Sequence, residues 1–464
     1  MTTKHPKVLQ IWGELAPKFL PFADAASEDL PLSRLLRLSL FQVSVGMALV
    51  LLVGTLNRVM IVELKVPSSI VSIMVAIPLL FAPLRALIGF RSDNHRSELG
   101  WRRVPYMWMG SMIQFGGLAI MPFALLVLAG AGQSAGQPAW VGQLGAAIAF
   151  FMVGAGVHIT QTVGLALAND LAAEESRPKV VGLMYVMLLV GMIISALMFG
   201  VLLADFSPGA LIQVIQACAV TTLVLNVIAL WKQEPRSRLR RGKPVVEPSF
   251  KEAWAGLTKD HRALRTLVVV GLGTFAFSME DVLLEPYGGQ ILNMSVSATT
   301  LLTATLSLGG LFGFAWASKV LSQGADPYRM ARTGVLIGAP AFLAVICSGY
   351  LQTEWLFSLG VFGIGLGGGL FSHGTLTSCM NLAPKDQSGL ALGAWGAVQA
   401  TAAGLAMALG GIMRDLVDLL GGAASNGYVS VYAVELLVLI FTAVVLSPLV
   451  RQVTTSPFSS EQRP

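Results

Sequence analysis

The sequence predicts an all-α polytopic membrane protein: twelve transmembrane helices in two pseudo-symmetric six-helix bundles, with both the N and C termini cytoplasmic. Three observations lead there. Of 464 residues, 55% are hydrophobic and only 12% are charged, about half the charged share of a soluble domain. The apolar runs are about 20 residues long, the length that crosses a bilayer. The basic residues fall almost entirely on one side of those runs, as the positive-inside rule expects of cytoplasmic loops. Such a composition excludes a soluble enzyme, a disordered chain and a fibrous one.

The first six spans run at about 39–62, 69–90, 105–129, 140–168, 180–203 and 210–231, and the second six at about 266–286, 298–320, 331–351, 355–380, 388–413 and 430–450. In lipid the backbone must satisfy its own polar groups, and no strand-like alternation appears, so each span is expected to be a helix. With the N-terminus inside, 28 of the 31 Lys and Arg fall on the cytoplasmic side, leaving Arg58, Lys65 and Arg414 outside. An odd number of spans would scramble that partition.

The organisation that follows is an arm over 1–38, a bundle over 39–231, a basic cytoplasmic linker over 232–265, a bundle over 266–450 and a tail over 451–464. In the arm, Val8, Ile11, Trp12, Leu15 and Phe19 share one helical face. This reads as a short interfacial helix that anchors to the membrane or docks a partner membrane protein. The linker carries ten bases against four acids and is expected to lie on anionic headgroups of the membrane lipids, at about 1 kcal/mol per base. No fold or aromatic platform accompanies that charge, so no nucleic-acid partner is expected. Cys218, Cys347 and Cys379 all lie in apolar runs, which supports neither a disulfide framework nor a CxxC metal site. No removable signal peptide is read at the N-terminus.

The halves repeat one another. GTLNRVMIVEL (54–64) has a counterpart in SMEDVLLEPYGG (278–289), RALIGFRSD (85–93) in FGFAWASKV (312–320), and LANDLAAEESRPKVVGL (167–183) in CMNLAPKDQSGL (379–390). Transporters build two halves around a midplane site from repeats of this kind. Six plus six spans with a long basic linker resembles the major facilitator superfamily. The loop carrying Gly89, Arg91, Asp93, Arg102 and Arg103 resembles that superfamily's cytoplasmic signature between its second and third helices.

The sequence contains no GxxxxGK[ST] and no HExxH, so neither a nucleotide motor nor a zinc hydrolase of those kinds is expected. An ionisable group at a helix centre costs about 2.5–3.5 kcal/mol on insertion scales, so each one needs a reason. Span seven carries Glu280, Asp281 and Glu285. In a continuous helix Asp281 and Glu285 share a face, with Glu280 roughly 100° away. Their counterpart on span one is Asn57-Arg58. The superfamily's architecture implies that spans one and seven meet, so Arg58 is expected to pair with Asp281 or Glu285, either as a staple or as a gate.

Of five histidines, only His158 and His373 lie in spans, and those spans, four and ten, are pseudo-equivalent. Each is a buried, hydrogen-bonded imidazole, a proton relay or a ligand to a cofactor metal, and Gln161, one turn from His158, can assist either function. GIGLGGG (363–369) and the glycines of span eleven, such as Gly396-xxx-Ala400-xxx-Gly404, are expected to allow close helix approach. Trp395 and Gln399 form an amphipathic pair able to touch a ligand. Glu435 is alone in the last span and is expected to face a partner protein.

Four stretches carry a further resemblance: LPFADAASEDLPLSRLLRLSLFQVSVGMALVLLVGTLNRVMIVELKVP, RSDNHRSELGWRRVPYMW, HITQTVGLALANDLAAEESRPKVV and GLALGAWGAVQATAAGLA. Together with DVLLEPYGGQIL, they closely resemble the PucC/LhaA family of purple phototrophic bacteria, the bacteriochlorophyll-delivery branch of the major facilitator superfamily. The resemblance implies a light-harvesting antenna assembly factor in the bacterial inner (intracytoplasmic photosynthetic) membrane. Its cargo would be bacteriochlorophyll, with no nucleotide and no catalysis. Its partners would be the antenna polypeptides and the proteins of bacteriochlorophyll biosynthesis or reaction-centre assembly. The pigment's Mg²⁺ takes an axial ligand. His158 and His373, with Gln161, Asn57 and Glu285 as lesser candidates, then become candidate ligands, and no metal is expected to bind the protein directly. A proton-coupled carrier of a small solute, using Glu280, Asp281 and Glu285, and a pigment-free scaffold stand as alternatives.

Overall fold

The computed structural model describes residues 26, 30–80, 88, 92, 100–130, 138–173, 176–234, 261–382, 388–420 and 424–455. Among these the regular structure is entirely helical. Eleven stretches are long and apolar enough to cross a membrane, and Ser68–Leu79 is a shorter apolar helix. The remainder of the expected span two, the arm to residue 25, most of the linker and the end of the tail lie outside the described residues.

The first span begins earlier than the hydropathy suggests. Helix α1 (Leu32–Leu38) starts after Pro31, turns at Ser39, and continues as α2 (Leu40–Leu49) into π-helical stretches Val50–Leu56 and Val59–Glu63. Arg34 and Arg37 interrupt the apolar run in the sequence, but Arg34 is tied down. Its Nε and NH2 donate to Gln233 Oε1 at 3.1 Å and Gln233 O at 2.7 Å. Then follow α3 (Ser68–Leu80), α4 (Val104–Leu128), α5 (Ala139–Leu171), α6 (Arg177–Leu202) and α7 (Pro208–Leu230).

Span seven is not one helix. After α8 (His261–Ala276) comes a 3₁₀ turn, Glu280–Val282, and then the short α9 (Leu284–Ile291). The expectation that Asp281 and Glu285 sit i,i+4 on a continuous helix is therefore corrected, because the chain leaves α-helical register between them. The polar run Ser278–Asp281 is where the break falls. The chain continues as α10 (Val296–Ser322), α11 (Pro327–Leu351), α12 (Glu354–Leu382), α13 (Ser388–Leu419) and α14 (Ala424–Thr455).

Packing groups the described residues of Met1–Leu52 and Leu84–Arg241 into one compact unit, and those of Val53–Pro83 and Gly242–Pro464 into another. The end of the first span and α3 therefore pack with the C-terminal helices, α3 lying against α13. In the first unit α4 and α5 approach closely: a Cβ on Gly156 would lie 2.5 Å from Gln114 N. Phe41, Met107, Val163, Leu167 and Met184 form its core. A buried polar chain crosses it, Ser44 Oγ donating to Asn226 Oδ1 at 2.8 Å and Asn226 Nδ2 to Ser111 Oγ at 2.9 Å. The donors and acceptors of that chain are thereby matched in the apolar interior.

In the second unit Tyr287 lies edge-on to both Tyr428 and Tyr432, with centroids 5.4 Å apart in each pair. Phe342, Phe357 and Phe371 extend the same core. Large apolar side chains such as Phe123, Trp140, Val201 and Phe441 are left exposed on their helices. On a soluble protein that would invite aggregation; on membrane spans it suits contact with acyl chains.

Candidate functional site

The two irregular stretches of the second unit meet. The π-helical winding of the first span sets Gly54, Asn57 and Arg58 beside the break in span seven, and single π turns inside α-helices recur at functional sites. Asn57 is fully buried, and its Nδ2 donates to Val53 O in its own helix and to Val282 O at 3.0 Å in the break. Its Oδ1 has no partner among the described residues. Next to it Thr55 Oγ1 and Thr300 Oγ1 are 3.4 Å apart.

Glu285 is 2% exposed. Thr303 Oγ1 donates to its Oε1 at 2.5 Å, while its Oε2 finds no donor among the described residues. A Cβ on Gly54 would collide with Glu285 Oε1 and lie 2.9 Å from Thr303 Oγ1, so the absence of a side chain at residue 54 makes room for the carboxyl. Gly54→Ala is expected to lower stability by about 1–3 kcal/mol through overpacking. Combined with Glu285→Ala it should cost less than the sum, since the second change opens the space. Thermal unfolding midpoints of the three variants in detergent measure this; strict additivity would count against the contact.

Arg58 is 4% exposed, but its ion pair differs from the one expected. NH1 lies 2.5 Å from Glu63 Oε1, and NH2 donates to Met294 O at 3.3 Å. The partner is thus Glu63, at the end of the π stretch that Arg58 precedes, because the wider winding brings residues five apart together. Asp281 and Glu285 do not make the salt bridge, although the charge of Arg58 acts on Glu285. Glu280, fully buried, and Asp281, half-buried, sit in the 3₁₀ turn itself.

The other candidates lie elsewhere. His373, half-buried in α12, stands edge to face with Phe314 of α10, centroids 4.9 Å apart. Trp395 is buried, and its Nε1 donates to Thr375 Oγ1 at 3.2 Å. Its polar atom is therefore engaged within the unit, and Gln399, half-buried one turn on, is the freer member of that pair. In the first unit His158 and Gln161 are half-buried on α5, and Gln161 Nε2 donates to Gln42 Oε1 at 3.4 Å.

Of the signature loop, Gly89, Arg91 and Asp93 lie outside the described residues. Arg102 and Arg103 converge on Asp170 Oδ2 at 2.5 and 3.0 Å, and Arg103 NH1 donates to Ser92 Oγ at 2.6 Å. Glu234 completes the cluster by accepting from the backbone N–H groups of Arg102, Arg103 and Val104 at 2.8–3.0 Å. These are donors that a helix start leaves without an intrahelical partner.

Two residues stand out that the sequence reading did not connect. Thr303 holds Glu285, and Glu435 meets Glu280. The first gives no signal beyond an ordinary hydroxyl in an apolar span. The second was visible as a lone intramembrane acid, but the expectation that it faces a partner protein is corrected: it is fully buried against Glu280.

Among solved structures, the chain is similar to a bacterial homologue of the human lysosomal transporter Spinster. The TM-score is 0.67 at 14% identity, covering 92% of this chain and 98% of that one. The fold is accordingly that of the major facilitator transporters, in a multi-pass membrane protein. Among curated proteins, it is 64% identical over 417 residues to Protein PucC of Rhodovulum sulfidophilum, across 89% of this chain and 91% of the relative. It is 27% identical over 398 residues to a Rhodobacter capsulatus protein named Bacteriochlorophyll synthase 44.5 kDa chain, across 83% of this chain and 88% of that one. With residues 55–454 also matching the model of the PUCC protein family, the chain belongs to that family.

Proposed function

We propose that this protein is an assembly factor for photosynthetic light-harvesting antennae. It binds bacteriochlorophyll and passes it to nascent antenna polypeptides in the photosynthetic inner membrane. It performs no covalent chemistry, and its partners are the antenna polypeptides and the proteins that make the pigment or assemble the reaction centre. The observation that carries this reading is family membership over residues 55–454. The name of the Rhodobacter capsulatus relative, which refers to bacteriochlorophyll, and the aromatic surroundings of His373 support it. A macrocycle is held by an apolar slot with aromatic walls and a few placed polar groups, and an imidazole can ligate its Mg²⁺.

The test is an absorption spectrum of gently purified wild type beside His158→Phe and His373→Phe. Wild type is expected to carry near-infrared absorbance, and at least one substitution to reduce or shift it. Pigment bound identically in all three would remove both ligations, and wild type without pigment would leave a scaffold. The buried acids of the second unit favour a second reading, a proton-coupled carrier of a small solute. Gradient-driven flux lost in Asp281→Asn would select it.

A further inference from the structure

The second unit brings together two acids that lie far apart in the sequence. Glu280, in the 3₁₀ turn that breaks span seven, and Glu435, in α14, are each fully buried. Their side chains meet carboxyl to carboxyl, and Glu435 also lies against the backbone of Glu280. No other described residue donates a hydrogen bond to any of their four oxygens. Tyr432, three residues before Glu435 on the same helix, adds a fully buried hydroxyl, also unpartnered among the described residues, that interacts with both carboxyls.

The charged and titratable groups facing this cluster are few. Asp281, beside Glu280, acts on both carboxyls. Tyr287 and Tyr428 lie against Tyr432. No Lys, Arg or His is among the groups acting on either acid. The surrounding core residues are apolar: Met279, Leu283, Val431 and Leu439.

Two carboxylates in contact in such a place cannot both be ionised, because each repels the other and neither is compensated. Apart from the backbone of Glu280, which acts on Glu435, the hydrogen bond open to the two side chains among the described residues is with each other, and it exists only if one of them carries a proton. We propose that Glu280 and Glu435 form a carboxyl–carboxylate pair that binds a single exchangeable proton, at a site distinct from the Thr303–Glu285 contact. One carboxyl donates through that proton, the other accepts, and the pair keeps one negative charge. Since Glu280 lies in the break of span seven, gain or loss of the proton makes or releases the bond between that break and α14.

The experiment uses full-length protein in detergent, comparing wild type with Glu280→Gln/Glu435→Gln by infrared spectroscopy. Wild type is expected to show a protonated-carboxyl stretch that shifts in D₂O and is lost in the double variant. A second readout is the thermal unfolding midpoint against pH. Unfolding at neutral pH exposes both carboxyls to water, where they ionise and the shared proton is released, so the wild-type midpoint falls as pH rises. Each single variant, Glu280→Gln and Glu435→Gln, supplies an amide N–H donor in place of the proton, and its midpoint should flatten over the same range. Identical infrared spectra, or identical pH profiles for wild type and the single variants, would overturn the proposal. So would stabilisation of wild type by sodium chloride but not by choline chloride, which would assign the site to a cation.

Discussion

Gly365→Val is expected to abolish recovery of folded protein, whereas Gly396→Ala in the neighbouring span should be harmless. Helix α12 carries a glycine on nearly every face it presents to α10 and α11. A Cβ on Gly365 would collide with Leu306 O, and one on Gly369 would lie 2.6 Å from Gly310 O. Against α11, a Cβ on Gly367 would lie 2.7 Å from Gly334 O and 3.0 Å from Gly338 N. The obstructing atoms are backbone on both sides, so no rotamer change relieves them; the helices must separate. Overpacking typically costs about 1–3 kcal/mol, and a β-branched residue wedged between two backbones belongs at or above the top of that range.

Gly396 supplies the control, because nothing lies within 4 Å of the position its Cβ would take. The close approach expected there from its spacing is not made. Alanine should cost nothing and can add up to about 1 kcal/mol through helix propensity. Size-exclusion profiles and unfolding midpoints of the two variants make the comparison. A well-folded Gly365→Val would mean that α12 is held less tightly than its glycines indicate.

That contrast shows what is legible in the sequence and what is not. Bilayer thickness and backbone satisfaction constrain span positions strongly, and hydropathy placed most of the described spans within a few residues, although the first begins at Leu32 rather than near residue 39. Composition also marked GIGLGGG correctly as packing, because a glycine-rich run inside an apolar span has little other use. Which neighbour each glycine meets depends on how helices rotate against one another, and no periodicity encodes that. The break in span seven escaped because hydropathy averages over Ser278–Asp281, and the π winding of span one escaped because its residues are ordinary apolar ones. Both irregularities decide the site: one redirects Arg58 to Glu63, the other separates Asp281 from Glu285. The pairing of Glu280 with Glu435 is a contact across 155 residues of chain, and only tertiary structure can reveal it.

Asp170→Ala is expected to destabilise the first unit by about 2–4 kcal/mol, and adding Arg103→Met should restore much of the loss. Removing one member of a buried ion pair costs about 3–5 kcal/mol, because the remaining charge is left uncompensated. The Arg103 side chain is only 5% exposed, but that of Asp170 is 32% exposed, so water and screening moderate the effect. In Asp170→Ala the guanidinium keeps its bond to Ser92 but loses its contact with the Asp170 carboxylate. Methionine at 103 fills a similar volume without a charge to satisfy, and such apolar replacements of buried pairs are often neutral. Arg102, the other partner of Asp170, is 36% exposed and can turn to water.

Glu234 holds the backbone of Arg102, Arg103 and Val104 independently of Asp170, so the start of α4 should survive in every variant. The signature is therefore a thermal midpoint that drops in Asp170→Ala and recovers in the double variant, with helical content unchanged. If Asp170→Ala unfolds at the wild-type temperature, the cluster is solvated and the pair contributes nothing. If the double variant is no better than the single, the loss is one of packing around Asp170 rather than of stranded charge.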